Sequence, residues 1–359
     1  MATEFAEESI DALAIGAWIL GTGGGGSPYL AQLNLKRLYE QGRRCSLIQP
    51  EDLADDDLVA VVSQMGAPLV GQERLVDPAT LARAVRLMEE FIGQRFAAIM
   101  TVEIGGGNAL SPFLAAALLD LPVVDADSMG RAYPEAQNTS FAIGNLKMYP
   151  LSLVDCRDSE AIVSKVPSWV WMERISRKIT TEVGSVASTC KAPRTGAEVK
   201  EWGILHTVTK SIRIGEAVLE ARRAHTNPIS AILKLEGGKE LFVGKIVDVD
   251  RVATGGFLRG KARLAGLGDK QGDELVLEFQ NEWLVAMHGS NPIAMSPDLI
   301  CLLDTDSGEA IGTETVRYGQ RVTVVALPSP EVLRTEQGLR NVGPRAFGYD
   351  FDFKSVFER

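Results

Sequence analysis

Between residues 58 and 125, short, wholly apolar runs alternate with helical stretches, and this alternation narrows the fold more than any other feature of the chain. Residues 58–63 (Leu-Val-Ala-Val-Val-Ser), 96–102 and 122–125 each read as a strand buried on both faces. Helices fill the gaps: one opens at Pro78 behind the cap Asp77 and runs to Ile92, and another covers 112–119. Strand, helix, strand, helix, strand at this spacing predicts an α/β N-terminal domain with a mostly parallel sheet. Ligands of such sheets collect beyond the carboxyl ends of the strands, where Gln64, Glu103 and Asp125 fall.

The flanking segments complete the outline. Residues 9–20 read as a helix capped by Ser9, apolar nearly all round and therefore buried. Residues 151–167 hold a strand pair or an edge, and 168–226 read as a helical connection. Thr195-Gly196-Ala197-Glu198 fits a capping box, followed by Trp202, Leu205, Val208 and Ile212 at helical spacing. From Pro228 onward, short β-rich runs (231–235, 240–249, 256–264, 274–279, 283–287, 299–303, 321–326) are separated by turn signals. Gly237-Gly238 reads as a hairpin turn, and the whole predicts a β-rich small barrel or sandwich. The chain of 359 residues thus divides into a domain over 1–166 and a second over 167–359, in keeping with the usual domain size of about 100–200 residues.

Two glycine-rich loops share one pattern. Gly23-Gly24-Gly25-Gly26 is followed by Ser27-Pro28, and Gly105-Gly106-Gly107 is followed by Ser111-Pro112. In each, Ser-Pro offers a cap and a first helical residue. Helix N-termini present unpaired N–H groups, and glycine lets an anion or polar group approach closely. Both loops are therefore candidate small-molecule sites; the alternative is that they are helix-connecting turns. The first loop joins helix to helix and lacks the Gly-Lys-Ser/Thr ending, which departs from both dinucleotide and P-loop contexts, so no nucleotide cofactor is expected.

A net charge of −10 argues against nucleic-acid or anionic-membrane surfaces. No apolar run reaches the roughly 20 residues needed to span a bilayer, and Met1 to Glu8 lacks the basic start of a secretory signal. Cys45, Cys156, Cys190 and Cys301 stand far apart and read as reduced thiols. A cytoplasmic protein is expected.

Candidate chemistry clusters in the first half. Asp125-Ala126-Asp127 ends a strand, with Arg131 and Glu135 close behind. Carboxylates so placed can bind a metal, act as a general base or grip substrate N–H groups; loop solvation and capping are the plainer roles. Arg131 reads as a partner of those carboxylates or as a clamp for a substrate carboxylate. Glu103 is a lone acid in an apolar strand, costly to bury unless paired or used. Asn108 reads as a left-handed turn residue. His206, in a helical stretch, His225 and His288 show no zinc-site spacing, so no metal ligand is identifiable. In the β-rich half, Asn281 and Glu282 sit between two strands, and the segment 343–350 carries aromatics that can cover a cleft.

Taken together, the run from Leu20 to Tyr29, Glu103-Ile104-Gly105-Gly106-Gly107-Asn108, the stretch from Asp125 to Glu135, Gln280-Asn281-Glu282 and the segment 343–350 resemble the S-methyl thiohydantoin desulfurase family. That family is associated with hydantoinase/oxoprolinase-type proteins. The resemblance implies an α/β domain followed by a β domain, and hydrolysis of a small hydantoin-like or S-methyl thiohydantoin ring. Water would be activated by Glu103, Asp125 or Asp127, directly or through one divalent metal ion, zinc by preference. Gly23 to Gly26, Gly105 to Gly107, Arg131, Glu135, Asn281 and Glu282 would bind substrate in a cleft between the domains. The other reading is a non-catalytic binding or accessory subunit of a hydantoinase/oxoprolinase system. A homo-oligomer or a hydantoinase-type partner is compatible with both.

Overall fold

The computed structural model describes residues 1–66, 70 and 77–358. Its first half runs through β1 (Thr3–Glu4), helix α1 (Ser9–Leu20), α2 (Tyr29–Glu40), β2 (Ser46–Ile48), β3 (Leu58–Gly66), α3 (Ala79–Ile92), β4 (Ala98–Thr101), α4 (Ser111–Leu119) and β5 (Val123–Val124). Strands β2, β5, β4 and β3 pair in parallel, in that order, as the alternation requires. Val59 lies opposite Ala98 and Val62 opposite Thr101, so the apolar runs form a centre buried on both faces.

The chain then leaves the sheet. Ala126–Asp127 (β6) pairs not with β4 but with β10 (Ile204–Leu205) in a separate two-stranded ribbon. β7 (Leu151–Val154) and β8 (Glu160–Val163) form the expected strand pair and extend the sheet on its far side. The segment 168–226 is only partly helical. It contributes α5 (Trp169–Glu182), and then Val186–Thr195 forms β9, a strand inserted antiparallel between β3 and β7. The capping box at Thr195 and Glu198 is present and starts α6 (Gly196–Trp202). The apolar spacing from Trp202 to Ile212 is divided, however, by β10 and by His206, which adopts a left-handed φ of 61° ahead of α7 (Thr207–Arg223).

The second half departs from expectation at its start. Residues 231–235 belong to helix α8 (Pro228–Glu236), capped by the Asn227 side chain on Ser230 N. Gly237, at φ 64°, terminates that helix rather than making a hairpin. Thereafter β11 (Lys239–Thr254), β12 (Phe257–Gly266), β13 (Glu274–Gln280), β14 (Glu282–His288), β15 (Asn291–Met295), β16 (Leu299–Asp304) and β17 (Arg321–Leu327) build one antiparallel sheet. It curls into a half-barrel around Phe242, Leu277, Trp283 and Val324.

Local capping also differs. Helix α1 begins at Ser9, behind Glu8, without a side-chain cap, and α4 begins at Ser111 directly after a 3-10 turn over Gly106–Leu110. Asp77 does accept the Ala79 amide, at 2.9 Å. Cys45, Cys190 and Cys301 are buried free thiols and Cys156 is exposed. Among the described residues no helix is long and apolar enough to cross a membrane.

Candidate functional site

The two glycine loops lie against each other. Gly107 N donates to the carbonyls of Gly25 (3.1 Å) and Gly26 (2.9 Å). A Cβ on Gly106 would stand 2.5 Å from Gly26 O, and one on Gly25 would overlap Gly105 O. Glycine is thus required here for backbone-to-backbone contact. The first loop also touches the β-rich half: Thr313 N donates to Gly23 O at 2.8 Å, and Gly24 lies under the Glu282 carboxylate.

Three buried acids, Glu103, Asp127 and Glu282, lie beside these loops. Glu103 stands just past the end of β4. Its Oε1 accepts from Asn108 Nδ2 (2.6 Å) and its Oε2 from Tyr133 N (3.1 Å). Asn108 is not left-handed; its side chain is a clamp. Its Oδ1 accepts from Gln64 N (2.7 Å), and its Nδ2 also donates to Gln64 O (3.3 Å), which locks the end of β3 to Glu103. Asp127 receives three backbone amides on Oδ2, from Ile104 (2.8 Å), Met129 (3.1 Å) and Gly130 (2.7 Å). Its Oδ1 is buried without a partner among the described residues, as is Oε2 of Glu282.

Burial pushes Glu103 up to about 7 against the stabilising pull of Asn108, Tyr133 N and Lys191, and the neighbouring Asp127 charge pushes the same way as burial. Burial likewise pushes Asp127 up to about 7, opposed by its three amides. Glu282 lies well above the usual carboxylate range, through burial first and the Glu103 charge second. Carboxyls poised near neutrality in one place are the raw material of acid–base chemistry.

The cations around them divide by use. Arg131 is fully buried and spends its guanidinium on neutral oxygens: Ala132 O and Asp298 O (both 3.1 Å), Thr22 Oγ1 (2.5 Å) and Trp283 O (3.1 Å). It therefore ties the first glycine loop to the β-rich half and pairs with neither Asp125 nor Asp127. Arg177 is engaged by Glu173 and by Gly256 O (3.1 Å) and Pro134 O (3.0 Å). Among the described residues the cations that act on these acids are Arg131, Lys191 and the already engaged Arg177.

Asp125 points elsewhere. Its Oδ1 accepts Thr209 N at 3.0 Å and its Oδ2 the Thr209 hydroxyl, so the carboxylate holds the first turn of α7. Because β6 breaks away from β5, the two aspartates do not share one environment. Glu135 accepts from Gln137 and from Gln280 (3.1 Å) and lines a cleft of about 460 Å³ together with Arg259, Arg340, Asn341 and Phe347. Phe347 stacks on Tyr133 with ring centroids 6.4 Å apart, so the 343–350 segment does cover this side. The Asn281 side chain accepts Leu258 N at 2.8 Å and is a backbone prop.

His206 contacts Gln49 and Glu51, and its Nδ1 lies 3.9 Å from Asp125 Oδ2; His288 faces Asp273, and both rings are half exposed. Among the described residues no group of three or more His, Cys, Asp or Glu side chains converges as a metal site would require. Among the described residues the donor set does not fit the expected zinc ion.

The fold defines a two-domain protein, an α/β half followed by an antiparallel β half, and the family comparison agrees. Residues 8–165 match the model of the S-Me-THD-like N-terminal domain and 167–356 that of the S-Me-THD-like C-terminal domain. The chain belongs to the S-Me-THD-like family. A crystal structure of a protein from Chromobacterium violaceum has the same fold, with a TM-score of 0.83 over 99% of this chain and 100% of that one, at 22% identity.

Proposed function

We propose that this protein hydrolyses an S-methyl thiohydantoin or a closely related hydantoin-like ring at C2, with Asp127 as general base and Glu103 as its proton-carrying partner. The observation that carries this reading is the divided role of the Asp127 carboxylate. One oxygen is held by three amides while the other is buried and unpartnered beside a second acid that also titrates near neutrality. Asp125, by contrast, has both oxygens engaged.

In the proposed reaction the oxygen of a water adds to C2, and one of its protons passes through Asp127 to the ring nitrogen. The C2–S bond then breaks, and the remaining hydroxyl becomes the ring carbonyl. Its proton goes to the departing thiolate by way of Glu103, giving the hydantoin and methanethiol. Gly24 and Gly107 have their amides engaged, so donors to developing ring charge would come from the other loop positions.

The test is incubation with S-methyl thiohydantoins and hydantoins, following thiol release and ring absorbance. Asp127→Asn should lower kcat by roughly 10²–10⁴-fold while substrate still binds. Absence of turnover with every ring, with and without added zinc or manganese, overturns the enzyme reading and favours the accessory-subunit one.

A further inference from the structure

The cleft beside Glu135, about 460 Å³ in volume, has the size of a small-molecule site. One wall is fixed by interlocking amides. Glu135 N donates to Asn138 Oδ1 (3.0 Å), Asn138 Nδ2 to Asn341 O (2.8 Å) and Asn341 Nδ2 to Gln137 O (3.0 Å). Segments far apart in the chain thus build a preorganised polar surface, which lowers the ordering cost of binding.

Two arginines line the cleft with it. Arg259 lies directly opposite Gln280 in the register of β12 against β13, and so beside it on one face of the sheet. Gln280 is spent on Glu135, whose Oε1 accepts from it at 3.1 Å. Arg259 makes no hydrogen bond or ion pair with any described residue; its nearest recorded partner is the Phe257 ring, 5.9 Å from the guanidinium carbon. Arg340, on the helix Glu336–Val342, pairs with Glu336 at 2.5 Å. Both members of that pair are exposed, so solvent weakens it. Among the described residues Glu135 is the one acid of the lining, and its oxygens accept from the neutral amides of Gln280 and Gln137. The lining therefore carries an excess of one positive charge.

We propose that this cleft binds a small organic carboxylate, with Arg259 as its principal partner and Arg340 as the second. A guanidinium fork matches a carboxylate in two places. The single excess charge suits a monoanion, and Glu135 disfavours a doubly charged phosphate. Phe347 and Trp169 add aromatic surface for the body of the ligand. Phe347 stacks on Tyr133, whose amide donates to Glu103 at 3.1 Å, so one residue joins the cleft wall to the buried acids. The carboxylate could be an arm of the ring substrate or belong to a separate acid. The first source rests on the hydrolase reading; the carboxylate site itself does not.

The experiment is calorimetric titration of the full chain with hydantoin-5-acetate, its neutral counterpart hydantoin-5-acetamide, and open-chain N-carbamoylglycine. Hydantoin-5-acetate should bind about tenfold more tightly than the acetamide, the usual effect of a charge-assisted pair. Arg259→Met should remove that preference and Arg259→Lys should restore part of it. Arg259 is exposed, so its replacement leaves the core intact; Arg340→Met supplies a second, independent variant. Comparable binding of N-carbamoylglycine assigns the site to a separate acid, and binding confined to the ring acid assigns it to a substrate arm. Equal affinity for acetate and acetamide, a preference unchanged in both Met variants, no binding of either carboxylate, or displacement by equimolar inorganic phosphate overturns the proposal. Because the readout is binding, a protein that turns over no ring yet keeps the Arg259-dependent preference sustains the site and loses only the hydrolase reading.

Discussion

Glu282 occupies the space that a side chain on Gly24 would fill. A Cβ built on Gly24 overlaps Oε1 of the Glu282 carboxylate and stands 2.5 Å from its Cδ. The contact joins the first glycine loop to the first residue of β14, so an acid of the β-rich half is set by a backbone position of the α/β half. Gly24→Ala should therefore cost about 1–3 kcal/mol, the usual effect of overpacking, and should disturb Glu282. In urea unfolding, Gly24→Ala combined with Glu282→Ala should recover part of that loss. Simple additivity of the two changes would show that the overlap is relieved elsewhere.

Arg131 carries a second link between the halves. Replacing it with Met removes the donor to Thr22 Oγ1 and to the carbonyls of Ala132, Trp283 and Asp298, all in a fully buried setting. Acceptors left unpaired in such a place are expensive, and Arg131→Met should destabilise the fold by at least about 3 kcal/mol. Lys in its place keeps the charge but cannot fork, so Arg131→Lys should recover little. Unfolding monitored separately by Trp fluorescence and by circular dichroism reads this out. A loss below about 1 kcal/mol would show that the link is dispensable.

The buried acids also set how stability responds to pH. Glu103, Asp127 and Glu314 are each raised to about 7 in the folded chain, burial being the first cause in all three. In the unfolded chain they titrate near 4, so over this window the folded state holds more protons. Their contribution to stability is fully present below about pH 4 and is lost as pH rises through about 7. Unfolding free energy should accordingly fall across that range, in the direction opposite to proteins stabilised by salt-bridged carboxylates. Glu314→Gln should remove part of the slope. A flat stability curve over the window would contradict the buried-acid description.

Much of this arrangement could be read from the chain, and the places where it could not have physical causes. The apolar runs of β3 and β4 announce themselves because strands buried on both faces need continuous hydrophobicity. Glu103 is conspicuous because it interrupts such a run. β9 is not, since Val-Ala-Ser-Thr-Cys-Lys-Ala-Pro-Arg-Thr mixes small and polar residues and includes a proline; its place in the sheet comes from pairing with β3 and β7, and with it the position of Lys191. Residues 231–235 form a short apolar run that periodicity assigns to neither state. The local signals that decide it are Asn227 at the start and left-handed Gly237 at the end. Asp125 and Asp127, two apart, would share a face of one continuous strand; they separate because the chain changes sheets between them.

Asn281 offers the sharpest separation of backbone strain from hydrogen bonding. It adopts a left-handed φ of 60°, its Oδ1 accepts Leu258 N at 2.8 Å, and its own N–H donates to Leu258 O at 2.7 Å. Thr313 Oγ1 donates to its carbonyl as well. The register of β13 against β14 slips beside it, between Glu278 and Phe279, and Glu282 follows directly with its carboxylate on Gly24. Asn281→Asp keeps the acceptor and tolerates the left-handed backbone, so it should cost little. Asn281→Gly keeps the backbone but leaves Leu258 N unpartnered, for about 1–3 kcal/mol. Asn281→Ala loses the bond and adds roughly 1–2 kcal/mol of strain. The order Asp, Gly, Ala in denaturant midpoints should be matched by loss of turnover, since the same strain re-aims Glu282. If Gly and Ala proved equally stable, the left-handed backbone would carry no cost and the aim of Glu282 would have to be set by Gly24 alone.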